Sequence, residues 1–257
     1  MRRALRDRAM ETTREKHPDG VDPPAEDGNY QTERLAEFGG IIVAGFAAAV
    51  VLLYAFARLA NEVLEQETIA MDAAALQFLQ QFGSPQLTTA AQLISVMGSE
   101  AVVVIGAILL AVLGWQRRWG AAVMLVLVTA GAQILNDILK ELFHRTRPAP
   151  VTGFLDAQQF SFPSGHAMVA AAFYFYVAFL AWRLRLVHGW WRGVLVVALV
   201  VLVLLIGIAR IYLGAHYLSD VIAGYLAGFL WADAVMLGSR VLTLRTHKRL
   251  RPRTLNR

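Results

Sequence analysis

The chain of 257 residues contains no cysteine, and only 17% of its residues are charged. The absence of cysteine excludes disulfides, thiolate nucleophiles and zinc sites built on sulfur. Soluble domains carry roughly 25% charged residues, whereas this chain is 57% hydrophobic. The low charge content therefore favours a polytopic membrane protein. The net charge of +5 does not indicate a nucleic-acid partner, because the basic residues lie mostly at the ends of apolar runs.

Apolar runs long enough to cross a bilayer, about 17–25 residues, recur along the sequence. We therefore expect an all-α bundle of six transmembrane helices. Between the first two spans, segment 61–90 has apolar residues at helical spacing, which favours a helix lying along the membrane surface. The predicted spans are about 38–60, 91–114, 120–141, 164–183, 193–211 and 218–239.

Polar segments flank the six spans and predict the domain organisation. Residues 1–36 have mixed charges and several prolines, a composition that buries too little apolar surface to order itself. We expect a disordered cytoplasmic tail there, a six-span domain over residues 37–239 and a basic cytoplasmic tail over 240–257. The Gly224–Gly228 pair in the last span is more typical of close helix packing than of a dimer face.

The distribution of Lys and Arg predicts the orientation in the membrane. Arg117 and Arg118 follow the second span, three arginines lie between residues 183 and 192, and the C-terminal segment is strongly basic. With six spans, these segments and the N-terminus share one side, which should be the cytoplasm. We expect a multi-pass cell-membrane protein, in a bacterial inner membrane, with both termini cytoplasmic. Segments 61–90, 142–163 and 212–217 then lie on the outer side.

Three polar clusters lie at span ends on that outer side, where cations are usually depleted. Lys140, Arg147 and Arg210 come from separate helix ends. Each alone is more simply a topology charge or a side chain that extends to the interface. Together they suit a tetrahedral anion, because their donors match phosphate oxygens.

The sequence PSGH at residues 163–166 opens the fourth span. Ser164 is a suitable N-cap, and capping alone is an equally good explanation of its presence. Gly165 permits close approach of the backbone, and a helix N-terminus attracts anions through its unpaired amides and dipole. The segment is therefore able to cap a helix and hold a phosphate at once, with His166 beside the anion.

His216 and Asp220 are four residues apart at the start of the sixth span, a spacing that places both on one helix face. A carboxylate bonded to one ring nitrogen makes the other a better nucleophile or base. The simpler alternative is an interfacial histidine followed by a helix-start aspartate. Two histidines with separate partners predict divided labour, in which one attacks phosphorus and the other protonates the leaving oxygen.

Together, these clusters resemble the type 2 phosphatidic acid phosphatase family. The family pattern is Lys-x6-Arg-Pro, then Pro-Ser-Gly-His, then Ser-Arg-x5-His-x3-Asp. Every position matches except the serine before the second arginine, which is Ala209 here; this difference affects one hydrogen bond at the phosphate site. The matching segments are Lys140-x6-Arg147-Pro148, Pro163-Ser164-Gly165-His166 and Arg210-x5-His216-x3-Asp220.

The resemblance implies a role for each matching residue. His216 would be the nucleophile that forms a phosphohistidine, Asp220 its orienting partner and His166 the general acid. The family needs no metal and no other cofactor. Members with this topology dephosphorylate lipid phosphates or diphosphates at the outer membrane face. The implied phosphate clamp consists of Lys140, Arg147, Ser164, Gly165 and Arg210.

Several polar residues are expected near the site without belonging to the motifs. Asn136 and Asp137 precede Lys140 by four and three residues, and Glu100 stands in the second span. We expect supporting roles for them, with polar contacts between helices as the alternative. His144 and Arg145 are interpreted as loop residues, with contact to a second phosphate or a headgroup as the alternative.

The sequence thus predicts an integral membrane lipid phosphatase whose partners are a lipid phosphate substrate and the bilayer. A lipid phosphotransferase would use the same residues. A haloperoxidase is disfavoured, since the relatives with that activity are soluble. An anion or phospholipid transporter is disfavoured because the basic residues lie at helix ends and not at mid-helix depth. Undecaprenyl diphosphate, phosphatidylglycerol phosphate, phosphatidic acid and lipid A phosphates all present similar headgroups, so the choice among them stays open.

Overall fold

The computed structural model describes residues 27–148, 160–185 and 187–250, with side chains over 39–148, 160–185 and 187–240. Residues 1–26 of the predicted tail lie outside the described residues, as does the end of the C-terminal tail. All regular structure within the described ranges is helical. The helices are α1 (Asp27–Leu64), α2 (Ile69–Gln80), α3 (Pro85–Val96), α4 (Glu100–Trp115), α5 (Trp119–Phe143), α6 (Gly165–Arg183), α7 (Trp191–Tyr212) and α8 (Leu218–Leu250).

Six stretches of the described helices are long and apolar enough to cross a membrane, which confirms the prediction of an all-α, six-span protein. The chain is a multi-pass membrane protein. The helices extend beyond the predicted domain limits, since α1 begins at Asp27 and α8 continues to Leu250. The spans are Gly39–Leu64, Pro85–Trp115, Trp119–Phe143, Gly165–Arg183, Trp191–Tyr212 and Leu218–Arg240.

Segment 61–90 is largely helical, as its apolar spacing predicts, but it is divided among three helices. It contains the end of α1, all of α2 and the start of α3, and α3 belongs to the second span. The hydroxyl of Ser84 accepts a hydrogen bond from the amide of Leu87 (3.2 Å), and Pro85 occupies the first helical position. A serine N-cap followed by proline is a strong helix start, so a new helix begins at Pro85 within this segment.

Helix α6 lies at the centre of the packing, in contact with α5, α7 and α8. In its apolar stretch 61% of the residues are buried, against 0% in the stretch of α1. Gly224 of α8 permits this contact, because a Cβ atom there would lie 2.7 Å from the carbonyl oxygen of Ser164. Gly228 likewise faces the backbone of Met168. The glycine pair therefore packs α8 on α6 within the chain, as the sequence favoured. All contacts described below lie in the compact unit that starts at Ala44.

Candidate active site

His216 lies in the turn between α7 and α8, and only 1% of its surface is exposed. Its Nδ1 atom is 2.9 Å from the carbonyl oxygen of Ser161 and 3.6 Å from Oδ2 of Asp220. Both neighbours are acceptors, so Nδ1 carries the ring proton and Nε2 carries the lone pair. Asp220 is beside His216, as the spacing predicts, but the carbonyl of Ser161 is the closer acceptor. Nothing in the sequence motifs indicated Ser161.

Asp220 also caps the helix on which it stands. Its Oδ2 accepts a hydrogen bond from the amide of Tyr217 (2.9 Å), the residue before α8 begins, which is one half of a capping box. The carbonyl oxygen of Asp220 accepts a hydrogen bond from the amide of Ser164 (2.9 Å). Because this bond joins the starts of α6 and α8, the PSGH segment and the His-x3-Asp pair meet at one end of the bundle.

The start of α6 is fixed by a side chain of α5. Ser164 is the N-cap of α6. Asn136 is fully buried and donates a hydrogen bond from Nδ2 to the carbonyl oxygen of Pro163 (3.1 Å). A Cβ atom at position 165 would lie 2.9 Å from Oδ1 of Asn136. Gly165 is therefore required for this packing, and Asn136 contacts the PSGH segment directly.

The other two expected supporting residues differ in their surroundings. Asp137 is exposed and accepts a hydrogen bond from the side-chain amide of Gln133 (2.9 Å). Glu100 begins α4 and accepts a hydrogen bond from the hydroxyl of Ser99. Glu100 also lines the same cavity as Lys140, so it lies at the site, whereas Asp137 is a surface side chain of α5.

The three predicted clamp cations come from three segments. Lys140 and Arg210 lie in the last turns of α5 and α7 and are buried. Arg147 is half-buried in the segment after α5, and its Nη1 donates to the carbonyl oxygen of Ala215 (3.0 Å). Nη1 of Arg210 donates to the hydroxyl of Ser95 (3.1 Å). Guanidinium and ammonium groups held in this way suit an anion with several oxygens.

Ala209, which replaces the serine of the family pattern, lies on α7 and packs against α3. It is buried in a cluster with Ala91, Tyr212 and Leu213. The hydroxyl that contacts Arg210 belongs instead to Ser95, a residue of α3. Arg210 therefore has a serine partner in this chain even though the neighbouring position is alanine.

Arg145 lies in a loop, as interpreted from the sequence, but its contacts with two buried carboxylates were not expected. Its Nη1 donates to Oδ1 of Asp220 (2.6 Å), and its Nη2 donates to Oδ2 of Asp72 (2.7 Å). Burial lowers the pKa of Arg145, but the carboxylates of Asp220 and Asp72 raise it by more, so its pKa lies above the ordinary value. One sequence signal was present: Asp72 is the only charged residue in the apolar segment of α2, and a buried carboxylate requires a partner.

His144 behaves as the loop residue expected from the sequence. It is the C-cap of α5 in the left-handed conformation (φ 48°), and its amide donates to the carbonyl oxygen of Lys140 (3.1 Å). The side chain of His144 is 60% exposed. This turn ends α5 three residues after Lys140, so the chain can return toward the site through Arg145 and Arg147.

A cavity of about 840 Å³ lies between α4, α5 and α6. Its polar end includes Lys140, His166 and His216. Along α5 the wall continues to Leu125, which is about 22 Å from Lys140 at the α-helical rise. The hydrocarbon core of a bilayer is about 30 Å thick, so the cavity follows much of that depth. The apolar wall includes Val102, Val103, Gly106, Leu110, Val126 and Val169.

The assembled groups suit phosphate chemistry. A neutral histidine with a fixed tautomer can act as a nucleophile, a second histidine can move a proton, and buried cations can stabilise an oxyanion. Among residues 39–148, 160–185 and 187–240, no group of three or more His, Asp or Glu side chains is arranged to hold a metal ion.

The fold and the candidate site together define a class: multi-pass helical membrane proteins with histidines and basic side chains gathered where several helices end. Residues 121–243 match the model of the PAP2 superfamily. The match includes every motif residue from Lys140 to Asp220. The resemblance to this family predicted from the motifs is therefore confirmed for this region.

Individual relatives narrow the class further. Phosphatidylglycerophosphatase B of Bacillus subtilis (strain 168) is 39% identical over 132 residues, which are 50% of this chain and 61% of the relative. A lipid A 1-phosphatase of Rhizobium johnstonii is 33% identical over 120 residues, which are 42% of this chain and 43% of the relative. The chain thus matches less than two thirds of the length of either protein.

A solved structure supports the fold over a larger part of the chain. The crystal structure of a transmembrane PAP2 type phosphatidylglycerolphosphate phosphatase from Bacillus subtilis aligns with a TM-score of 0.67 and 26% sequence identity. The alignment covers 80% of this chain and 98% of that chain. The alignment therefore supports the six-span helical fold over most of the chain.

Proposed function

We propose that the protein is an integral membrane phosphatase that hydrolyses a lipid phosphate or diphosphate through a phosphohistidine intermediate. The observation that carries the proposal is the cavity, whose polar end holds two histidines and a lysine and whose apolar wall runs along α5. A lipid phosphate likewise combines a charged headgroup, which suits the polar end, with an apolar chain, which suits the apolar wall. Similarity to proteins named as phosphatidylglycerophosphatase and lipid A 1-phosphatase supports the same class of substrate.

The first step is attack by the lone pair of Nε2 of His216 on phosphorus. The proton on Nδ1, held toward Ser161 and Asp220, keeps Nε2 as the nucleophilic nitrogen. As the N–P bond forms, the bond from phosphorus to the lipid oxygen breaks. His166 gives its proton to that oxygen, so the leaving group departs as a neutral alcohol, or as a phosphate monoester if the substrate is a diphosphate.

The second step is hydrolysis of the phosphohistidine. Neutral His166 takes a proton from water, and the water oxygen attacks phosphorus as the N–P bond breaks. His216 returns to its neutral form and inorganic phosphate is released. Lys140, Arg147 and Arg210 offset the charge on the phosphoryl oxygens in both steps, with the hydroxyl of Ser164 and the amide of Gly165 at the start of α6.

The proposed orientation places this site at the outer face of a bacterial inner membrane. The Lys and Arg bias puts both termini in the cytoplasm. Lipids would reach the cavity laterally, with the headgroup at the outer interface and the chain along α4 and α5. The proposed phosphatase domain comprises residues 37–239.

The test is phosphate release by the purified full chain in detergent with excess EDTA. Its substrates are phosphatidic acid, phosphatidylglycerol phosphate, undecaprenyl diphosphate and lipid A phosphate, each offered separately. We expect release from at least one of them in EDTA and no detectable release by His216→Ala, because the nucleophile is lost. His188→Ala is the matched control, since His188 is exposed beyond α6 and this variant should keep full activity.

Four results would contradict the proposal. Turnover by folded His216→Ala would exclude the phosphohistidine mechanism, and loss of activity in EDTA would show a metal requirement. Transfer of the phosphoryl group to a lipid acceptor, detected by product analysis, would assign a phosphotransferase. Binding of lipid phosphate by the wild-type protein with no release would indicate a binding or transport protein.

A further inference from the structure

We propose that Arg145 and Asp72 are positioning residues of the reaction proposed above, because their ion pair holds Asp220, and through it the nucleophile His216, in the productive orientation. The inference rests on the proposed function. It assigns a role to two residues outside the motifs, one in the segment after α5 and one in α2.

The side chain of Arg145 connects the two carboxylates. Its guanidinium lies 2.6 Å from Asp220 and 2.7 Å from Asp72. Both carboxylate side chains are almost fully buried, with 0% and 1% exposure. Two carboxylates at one buried site do not both remain ionised unless a cation lies between them. Arg145 is the cation in contact with both, so it keeps a negative charge beside His216.

The backbone of Arg145 controls the second acceptor of the same histidine. Its carbonyl oxygen accepts a hydrogen bond from the amide of Ser161 (2.8 Å). The carbonyl oxygen of Ser161 in turn accepts from Nδ1 of His216 (2.9 Å). Both residues that face Nδ1 therefore form hydrogen bonds with Arg145: Asp220 with its side chain and Ser161 with its main chain.

Asp72 contacts the first turn of α8 as well as Arg145. Its Oδ1 accepts from the amide of Ser219 (2.8 Å), and its Oδ2 accepts from the hydroxyl of Ser219 (2.6 Å). Ser219 directly precedes Asp220. Helix α2 thus holds the turn that carries Asp220 by two hydrogen bonds to one carboxylate, which also contacts Arg145.

The contacts of Arg145 argue against the alternative that it binds a phosphate. Nη1 donates to Ser219 and Asp220, at 2.7 and 2.6 Å, and Nη2 contacts Asp72 and, at 3.4 Å, Thr68. The guanidinium carbon also lies 4.5 Å from the ring centre of Tyr217. Both terminal nitrogens are directed at protein acceptors, so the residue acts through Asp220.

The expected consequence is specific to the chemical step. When Nε2 of His216 binds phosphorus, positive charge develops on the imidazole ring, and the nearby negative charge of Asp220 offsets it. This interaction strengthens in the transition state and contributes little to substrate binding, so its loss lowers kcat and leaves KM unchanged.

The experiment compares wild-type protein, Arg145→Gln and the double variant Arg145→Gln/Asp72→Asn in detergent. The single variant leaves two buried carboxylates without their cation, which endangers folding. The double variant removes one of these charges and retains polar side chains, so it should fold. Arg58→Gln is the control, because Arg58 forms an exposed ion pair with Glu62 at 3.1 Å and lies outside the motif segments.

We expect kcat of the folded double variant to fall roughly 10- to 100-fold, as for a misaligned catalytic group, with KM within about twofold of wild type. Orthovanadate, which mimics the transferring phosphoryl group bonded to His216, should bind more weakly in the same proportion, while inorganic phosphate competes as before. Arg145→Lys should recover part of the lost kcat because it restores the cation. Arg58→Gln should match the wild type.

Other outcomes would overturn the inference. Wild-type kcat in the double variant would mean that the network only supports folding, and a raised KM with normal kcat would assign Arg145 to substrate binding. If the wild type releases no phosphate from any lipid, the proposed function fails, and orthovanadate affinity then decides the inference. Equal affinity in wild type and double variant, or no vanadate binding by the wild type, would overturn it.

Discussion

Gly165 shows how single residues limit the geometry of the site. A Cβ atom at this position would lie 2.9 Å from Oδ1 of Asn136, closer than real contacts allow, so Gly165→Ala must displace either the asparagine or the start of α6. A displacement of this size in a catalytic segment costs roughly 100-fold in rate. We expect kcat/KM for lipid phosphate to fall by about that factor, measured as phosphate release in detergent.

The matched control for this residue is Gly193→Ala. Gly193 lies in the first turn of α7 with no atom within 4 Å of an added Cβ, so its replacement should leave kcat/KM unchanged. If Gly165→Ala remained fully active, the contact with Asn136 would not constrain the site. The family motif contains this glycine, but its reason, the amide oxygen of a buried asparagine on another helix, is visible only in three dimensions.

At the scale of helices, the contact between α6 and α8 holds the site together. A Cβ atom added at Gly224 would lie 2.7 Å from the carbonyl oxygen of Ser164, the N-cap of α6. Gly224→Ala should force the helices apart and lower the free energy of unfolding by about 1–3 kcal/mol, the usual cost of overpacking. Thermal or denaturant unfolding in detergent would measure the change.

Gly238→Ala provides the comparison within the same helix. No atom lies within 4 Å of an added Cβ at position 238, and alanine is favoured over glycine in a helix by roughly 0.5–1 kcal/mol. We therefore expect unchanged or slightly increased stability for this variant. If Gly224→Ala and Gly238→Ala had equal free energies of unfolding, the close contact of Gly224 with Ser164 would not limit the packing of α6 and α8.

At the scale of the whole molecule, the absence of cysteine makes the membrane orientation directly measurable. His144→Cys and Trp190→Cys each introduce a single thiol at an exposed position, one after α5 and one before α7. With both termini in the cytoplasm, a membrane-impermeant maleimide should label His144→Cys in intact spheroplasts. It should label Trp190→Cys only after permeabilisation.

The reverse labelling pattern would place the site on the cytoplasmic face and contradict the orientation predicted from Lys and Arg. Labelling of both thiols in intact spheroplasts would contradict the number of spans between them. The test is independent of catalysis, since His144 is an exposed helix cap and Trp190 lies outside the motif segments.

The sequence by itself determined the six-span fold and the chemical groups of the site. Both are local properties: the length of an apolar run decides whether a helix can cross a bilayer, and motif spacing decides which side chains share a helix face. These rules predicted the spans and the approach of His216 to Asp220. They predicted helical structure in segment 61–90, but not its division by the helix start at Ser84 and Pro85.

Only the tertiary structure decided which distant groups complete the site. Arg145 meets Asp72 across 73 positions of the chain, Arg210 meets Ser95 across 115, and Ser161 meets His216 across 55. Such pairs depend on how helices pack, and that packing depends on the fit of surfaces that no local pattern encodes. The same side chain of Arg145 would be a loop cation in another packing, and here it is the partner of two buried carboxylates.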